Sequence, residues 1–489
     1  YKNVFGSKQG VAVYGTNPFL GNLLQINPFS FPEGIHIYEH LDRLVEIFNV
    51  CWPMYAAMPA ILKDAIERAY VQAGWDLKQS KNEYSSHLFP NFIDVLEQIE
   101  TVMDQSWYSD ENKGDYKGSL CTRLRSLTNG INSLVFTTDE LQPAELFDQN
   151  VIVDLSRIGS AETKSLIMGI LVMKLQEYRM AASQGMNNPL KHVTVLEEAH
   201  NLLKRTSTEQ SSESSNLLGK SVEMLTNAIA EMRTYGEGFI IADQSPGLLD
   251  MAVIRNTNTK IIMRLPEYSD RDLVGRAASL NDEQITELSK LGKGIAAVYQ
   301  NDWLEPVLCK IDKYDYPETA PVSQSTAETP LAKKEAQAKH AASILVNFIA
   351  YKRLDHPLPI VYQQLIPAIE SIDCSANVKR QLYALAEEFR YQGYAQIWEE
   401  SHFSKQADLI TNLLNLAETV QNIRKETLNM RAFNCQLNTA IAAKVETVSD
   451  DLLLTISHYI LKNYSKHDQD DLLFYKEWVK DTRERIAVR

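Results

Sequence analysis

The chain has 489 residues, with 49 Lys and Arg against 63 Asp and Glu, a net charge of −14, 44% hydrophobic and 23% charged residues. Those values fit a globular protein of two or three domains. They exclude a protein that coats nucleic acid with its whole surface, so any such contact is confined to a local patch or channel. No run approaches the about 18 apolar residues needed to span a membrane. The cysteines (Cys51, Cys121, Cys309, Cys374, Cys435) are scattered without a CxxC pair, which points to thiols in a reducing cytoplasm rather than a disulfide frame or zinc site.

In chain order, residues 23–27 read as a strand ending at Pro28, and residues 36–70 as mostly helical, punctuated by Pro53 and Pro59. Ile61, Leu62, Ala65, Ile66 and Ala69 recur at helical spacing. Residues 78–118 are polar and broken around a helix near 90–104, and a further helix over 118–129 carries Arg123 and Arg125. Residues 150–155 form an apolar strand containing Asp154, followed by a long helix over 160–180. Residues 204–220 are rich in Ser and Thr and read as a loop before a helix over 221–233. Apolar runs at 238–242, 253–265 and 294–300 supply more strands. Strands alternating with helices predict an α/β fold with a mainly parallel sheet covered on both faces. Residues 314–337 change to Pro, Ser, Thr and Ala and read as a linker. From 338 to 489 the pattern is almost purely helical, with residues 407–420 strongly amphipathic, which predicts a separate all-α domain.

The most informative run is residues 193–200, Val-Thr-Val-Leu-Glu-Glu-Ala-His, where an apolar strand ends in Glu197 and Glu198. An acid-tipped strand of this kind delivers one carboxylate to a Mg²⁺ shell and the next to an attacking water in P-loop ATPases. It is followed by a long helix, Arg233, and a second apolar strand whose polar tip carries Gln244. The bland reading of Glu197 and Glu198 is an acid pair opposing a helix dipole. That of Gln244 is a polar strand cap, and that of Asp154 a loop cap.

Several pieces together resemble the HerA/FtsK superfamily of DNA-translocating P-loop ATPases, in its HerA-like branch. They are residues 23–29, the Asp42-Arg43-Leu44 and Met58-Pro59 pieces of the helical insert, residues 151–156, the Glu197-Glu198-Ala199-His200 box, residues 233–246 with Asp243 where Thr is usual, Ser269-Asp270-Arg271, and residues 291–294. The resemblance implies a RecA-like ATPase core over 1–313 with a helical insert at about 36–130. The helices after 338 match no family that we can name. The family's GxxxxGK[ST] phosphate loop occurs nowhere in these residues, and the resemblance implies that it precedes Tyr1. This chain alone is therefore expected to bind ATP weakly and to be inactive, since a phosphate cradle needs consecutive backbone N–H groups and a Lys.

The same resemblance implies ATP and Mg²⁺ as cofactors, with Glu197 at the metal, Glu198 polarising water and Gln244 sensing the nucleotide. It implies arginine fingers drawn from Arg233, Arg264 and Arg271, each of which has a surface or salt-bridge role as its plainer reading. It implies a homo-hexameric ring on double-stranded DNA, coupled to a nuclease or other effector in DNA processing or anti-phage defence. Lys204, Arg205 and Lys220 are the expected DNA contacts, with Arg123 and Arg125 as a second patch. Two alternatives stay open: a non-catalytic ring scaffold docking a partner through its helical domain, and a conjugation or secretion ATPase of the same superfamily. His200 reads as part of a strand-to-helix junction, and His36, His40 and His192 suggest no metal set.

Overall fold

The computed structural model describes residues 2–488 apart from 7, 9, 20, 21, 53, 184, 186, 206–216, 315–329, 354–361, 428, 447 and 448. The chain divides into two compact units, each built from discontinuous segments. The first comprises residues 1–16, 31–64 and 141–325; the second comprises 17–30, 65–140 and 326–489.

The first unit is α/β. Strands β1 (Val11–Gly15) and β2 (Asn150–Asp154) pair in parallel, as do β3 (His192–Glu197) and β4 (Glu237–Ala242). Strands β5 (Thr259–Ile262), β6 (Ile295–Gln300) and β7 (Val307–Lys310) form an antiparallel ladder instead. The helix Ala161–Ala182, capped by Ser160, buries Leu166, Ile167, Ile170 and Met173 and packs on the helix Ile37–Cys51. Gly169 lets the two approach, since a Cβ there would come within 2.8 Å of Ile47. Inside this contact His40 faces the Glu177 carboxylate at 3.0 Å, both side chains being fully buried, and Arg43 adds a bond at 3.4 Å.

Three local expectations are corrected. Residues 253–256 are not strand: Asp250 caps the short helix Met251–Asn256, and only β5 is extended. Lys220 lies inside the helix Leu217–Glu231, while residues 206–216 of the expected loop lie outside the described residues. The apolar faces of β3 and β4 are half open, with Val193, Val195 and Ile240 exposed.

The second unit is helical. Residues 65–140 and 326–489, which include much of the insert expected at about 36–130 and the whole tail expected at 338–489, pack here into one body. Asn91 donates to the Cys374 carbonyl at 3.2 Å, Thr138 to Asp373 at 3.0 Å, and Tyr84 stacks on Tyr383. The helix Asp110–Thr128 is longer than its glycines suggest, because Ser109 caps it and Tyr116, Leu120, Leu124 and Leu127 form a buried stripe. The amphipathic 407–420 run is divided between helices Phe403–Leu414 and Ala417–Glu426 by Asn415 in the left-handed region.

Candidate active site at the tips of two parallel strands

β3 and β4 run side by side in a register that places Glu197 opposite Ala242. From Val195 in β3 and Phe239 in β4 both strands are apolar up to their carboxyl ends, where the chain must turn and polar groups collect; ligands of parallel α/β sheets bind outside such ends. Past Glu197 the backbone of Glu198 turns into the left-handed region, with φ 53° and ψ 46°. Its carbonyl accepts from the Asn201 backbone at 2.9 Å and side chain at 2.8 Å. Ala199, Leu202 and Leu203 anchor the turn in the core at 0% exposure.

That turn leaves the Glu198 carboxylate about half exposed and aimed at the tip of β4, where Gln244 Nε2 donates to Glu198 Oε1 at 3.3 Å. The two residues expected to serve one reaction therefore touch. Asp243, buried beside them, joins the two tips. One of its oxygens accepts the His200 backbone N–H at 2.9 Å and faces His200 Nδ1 at 2.8 Å; the other accepts the Ser245 N–H at 2.9 Å. Sequence reasoning marked Asp243 only as a departure from Thr and placed His200 at a junction; neither indicated that they bond.

The loops beyond the tips are also joined. Lys204 forms an antiparallel bridge with Leu249, the Arg205 N–H donates to the Leu248 carbonyl at 2.7 Å, and the Asp250 N–H to the Leu203 carbonyl at 2.9 Å. The Gly247 N–H donates to Asp270 at 2.9 Å, and a Cβ at Gly247 would come within 2.5 Å of that oxygen. This ties the 269–271 segment to the same edge.

The remaining predicted residues are distributed as follows. Asp154 ends β2, where its carboxylate accepts from Ser156 and pairs with Lys2 at 3.1 Å. The Ser156 bonds, reinforced by Lys2, hold its carboxyl below the usual range against burial. Arg233 is exposed in the turn Met232–Tyr235, and Arg264 is exposed after β5. Arg271 is buried and turned inward, donating to the carbonyls of Leu265 and Pro266. Lys204, Arg205 and Lys220 are exposed. Arg123 and Arg125, in the second unit, bond to Ser119 and Glu100 respectively.

At the opposite end of β4, sequence reasoning missed a buried ionic cluster. Glu237 accepts from Arg179 at 3.0 Å and Thr194 at 2.7 Å and faces His192 Nδ1 at 2.7 Å, while Arg179 also pairs with Asp148 at 2.7 Å. Burial pushes the Glu237 carboxyl up, but His192, Thr194 and Arg179 outweigh it and hold the group below its ordinary value. This cluster fixes where the strand pair begins and so where its tips end. Among the described residues no group of His, Cys, Asp and Glu could hold a metal alone, and no helix is long and apolar enough to cross a membrane.

No family model matches the chain. Among curated proteins it is 24% identical over 297 residues to the DNA double-strand break repair helicase HerA of Sulfurisphaera tokodaii, covering 60% of this chain and 54% of that one. The HerA of Sulfolobus acidocaldarius is 24% identical over 276 residues, 55% of this chain and 53% of the relative. Over these stretches the chain is similar to proteins named HerA. A probable helicase of Methanocaldococcus jannaschii is 28% identical over 323 residues, 60% of this chain and 56% of its own length. The chain thus spans about half the length of these curated relatives. Solved structures similar to it include VirB4 of Thermoanaerobacter pseudethanolicus, at 15% identity and a TM-score of 0.44, covering 62% of this chain and 77% of that one. The bacterial conjugative coupling protein TrwB is 10% identical with a TM-score of 0.42, covering 65% of this chain and 77% of that one.

Proposed function

We propose that the protein is the body of an ATP-driven motor that moves double-stranded DNA. The observation that carries this reading is the contact between Glu198 and Gln244 at the tips of two paired parallel strands, in a chain similar to proteins named as HerA helicases. Glu197 and Glu198 offer the hard oxygen donors that Mg²⁺ takes. When bound, the nucleotide and its Mg²⁺ supply the scissile phosphate bond and the neutralisation of its charge.

In this reading Glu197 holds the metal shell, Glu198 orients a water and accepts its proton, and Gln244 fixes the Glu198 carboxylate while its amide senses what occupies the site. Asp243 and His200 keep the two tips in register. The protein assembles with itself as a hexameric ring, and Arg233 or Arg264, both exposed, reaches a neighbour's site. Arg271 acts by holding its own loop. Lys204, Arg205 and Lys220 contact DNA phosphates, and an effector such as a nuclease receives the DNA.

In the full-length protein Glu198→Gln keeps nucleotide binding and lowers ATP turnover by about 10²–10⁴-fold, because an amide cannot accept the proton. Nucleotide binding is read by a fluorescent analogue and turnover by phosphate release. Turnover equal to the parent's sinks the role of Glu198.

A further inference from the structure

The helices of the second unit carry a group of cations set against aromatic rings rather than carboxylates. Phe403 opens the helix Phe403–Leu414. His458 and Lys462 are four apart on the helix Asp450–Tyr464, and Tyr475 and Arg483 are eight apart on the helix Gln469–Val488, so each pair shares a helix face. Arg353 ends the short turn Tyr351–Arg353.

These residues meet in a continuous strip. The Arg353 guanidinium lies 4.0 Å from the centre of the Phe403 ring and 5.7 Å from that of Tyr459. Phe403 packs on His458 at 5.1 Å, and His458 stacks on Tyr475 at 5.8 Å with Nε2 2.8 Å from the Tyr475 hydroxyl. The Lys462 ammonium lies 5.6 Å over Tyr475. Three cations converge on His458: burial first, then Arg353, Lys462 and Arg483, push its imidazole down to about 4, so it is neutral at physiological pH.

Some basic groups of this unit are paired: Arg424 with Asp471, Lys466 with Asp408, and Arg390 with Glu387. Arg353, Lys462 and Arg483 are in no carboxylate ion pair among the described residues; Arg353 and Lys462 face aromatic rings instead, and Arg483 lies exposed two turns beyond Tyr475 on its helix. For the two cations on long helices, local sequence supplies none either. Lys462 has Tyr459, Ser465, His458 and Lys466 three and four residues away; Arg483 has Lys480, Ile486, Val479 and Ala487. A guanidinium laid on an aromatic face keeps its N–H edge for an oxyanion, the arrangement by which arginine takes phosphate. The ring faces are covered by the cations or by one another, so the strip suits phosphate contact rather than base stacking.

We propose that Arg353 and Lys462, mounted on Phe403 and Tyr475, together with Arg483 on the Tyr475 helix, form a binding site for the phosphate backbone of nucleic acid. The choice of nucleic acid over another polyanion rests on the proposed function; the geometry itself specifies an oxyanion. The site lies outside the unit that carries Glu198 and Gln244, so the helical region grips DNA in its own right.

The test titrates the full chain with a mixed-sequence DNA duplex at several salt concentrations, reading fluorescence anisotropy. The triple variant Arg353→Gln, Lys462→Gln and Arg483→Gln binds at least about tenfold more weakly at low salt, and its slope of log K against log salt falls by about 2–3, near 0.9 for each phosphate no longer neutralised. Matched thermal unfolding confirms that the variant is folded. If it is not, Lys462→Gln alone lowers the slope by about 0.9. Unchanged affinity and slope overturn the proposal. So does a parent chain that binds no duplex, or one that binds a polyglutamate peptide as tightly as DNA and loses both together in the variant, which marks an acidic protein partner. Turnover of Glu198→Gln is measured apart from these titrations, so failure of the motor reading and failure of this site are told apart.

Discussion

Glu198 carries strain that its neighbours hold in place. A non-glycine residue in the left-handed region costs about 1–3 kcal/mol, and the carbonyl of Glu198 is fixed there by two bonds from Asn201. Glu198→Gly and Glu198→Ala both remove the carboxylate, but only glycine relieves the backbone. Glu198→Gly is therefore more stable than Glu198→Ala by about 1 kcal/mol in urea unfolding; equal midpoints would show that the turn is unstrained. Neither variant supports turnover in the motor reading, so stability and function pull apart at this position. The acid tip of β3 and the Gln244 tip of β4 are legible in the sequence because each apolar, strand-forming run ends abruptly in polar residues. The Asp243–His200 link was not, because it depends on how two turns meet in space and leaves no periodic trace.

Among the elements, the helix Ala376–Gln392 has an unusual start. Ser375 caps it locally, and Asp94, far away in sequence, accepts the N–H groups of Ala376 at 2.9 Å and Asn377 at 3.3 Å as well as that of Asn91. Burial pushes the Asp94 carboxyl up to about 6, against the pull of these N–H groups and Lys379. Glu97 beside it is raised to about 7, by burial first and then by Asp94 and Glu100. The folded value of Asp94 lies above the unfolded one of about 3.9. Its contribution to stability is therefore full below about pH 4 and is lost as pH rises through about 6, amounting to up to about 3 kcal/mol. Asp94→Asn removes this titration together with part of the Glu97 elevation, which acts in the same direction. The stability difference, parent minus variant, declines between pH 4 and 7 in urea unfolding; a difference flat over that range would reject the raised carboxyl. Most helices were legible from apolar spacing and caps. The break at Asn415 was not, since asparagine in a helical pattern announces no left-handed cap until the packing demands one. The strand expected at 253–256 failed for a related reason: Asp250 offers its N-terminus a cap, and the apolar run alone cannot distinguish a short helix from a strand.

The whole molecule is organised by pairings that sequence composition cannot reveal. A change from apolar periodicity to Pro, Ser and Thr marks residues 314–337, and from that change alone the chain divides in linear order. In the second unit, however, residues 65–140 and 326–489 share one core. The bonds of Asn91 and Asp94, the Tyr84–Tyr383 stack and the Thr138–Asp373 bond link residues more than two hundred apart, and such pairings leave no local signature. The physical consequence is that residues 326–489 are incomplete as a folding unit. Separated from 65–140, the helix Ala376–Gln392 loses two N–H acceptors in the Asp94 carboxylate, and Ala376 and Tyr383 lose part of their cover. Unsatisfied N–H groups at a buried helix end cost about 1–3 kcal/mol each, a large share of the 5–15 kcal/mol typical of a domain. Residues 326–489 expressed alone therefore unfold in urea without the steep transition of the intact chain, as read by circular dichroism. Adding residues 17–30 and 65–140 as part of the same polypeptide through a flexible joint restores that transition. If residues 326–489 alone unfold cooperatively at a midpoint matching the intact chain, the tail is an independent domain and its pairing with 65–140 is only a docking interaction.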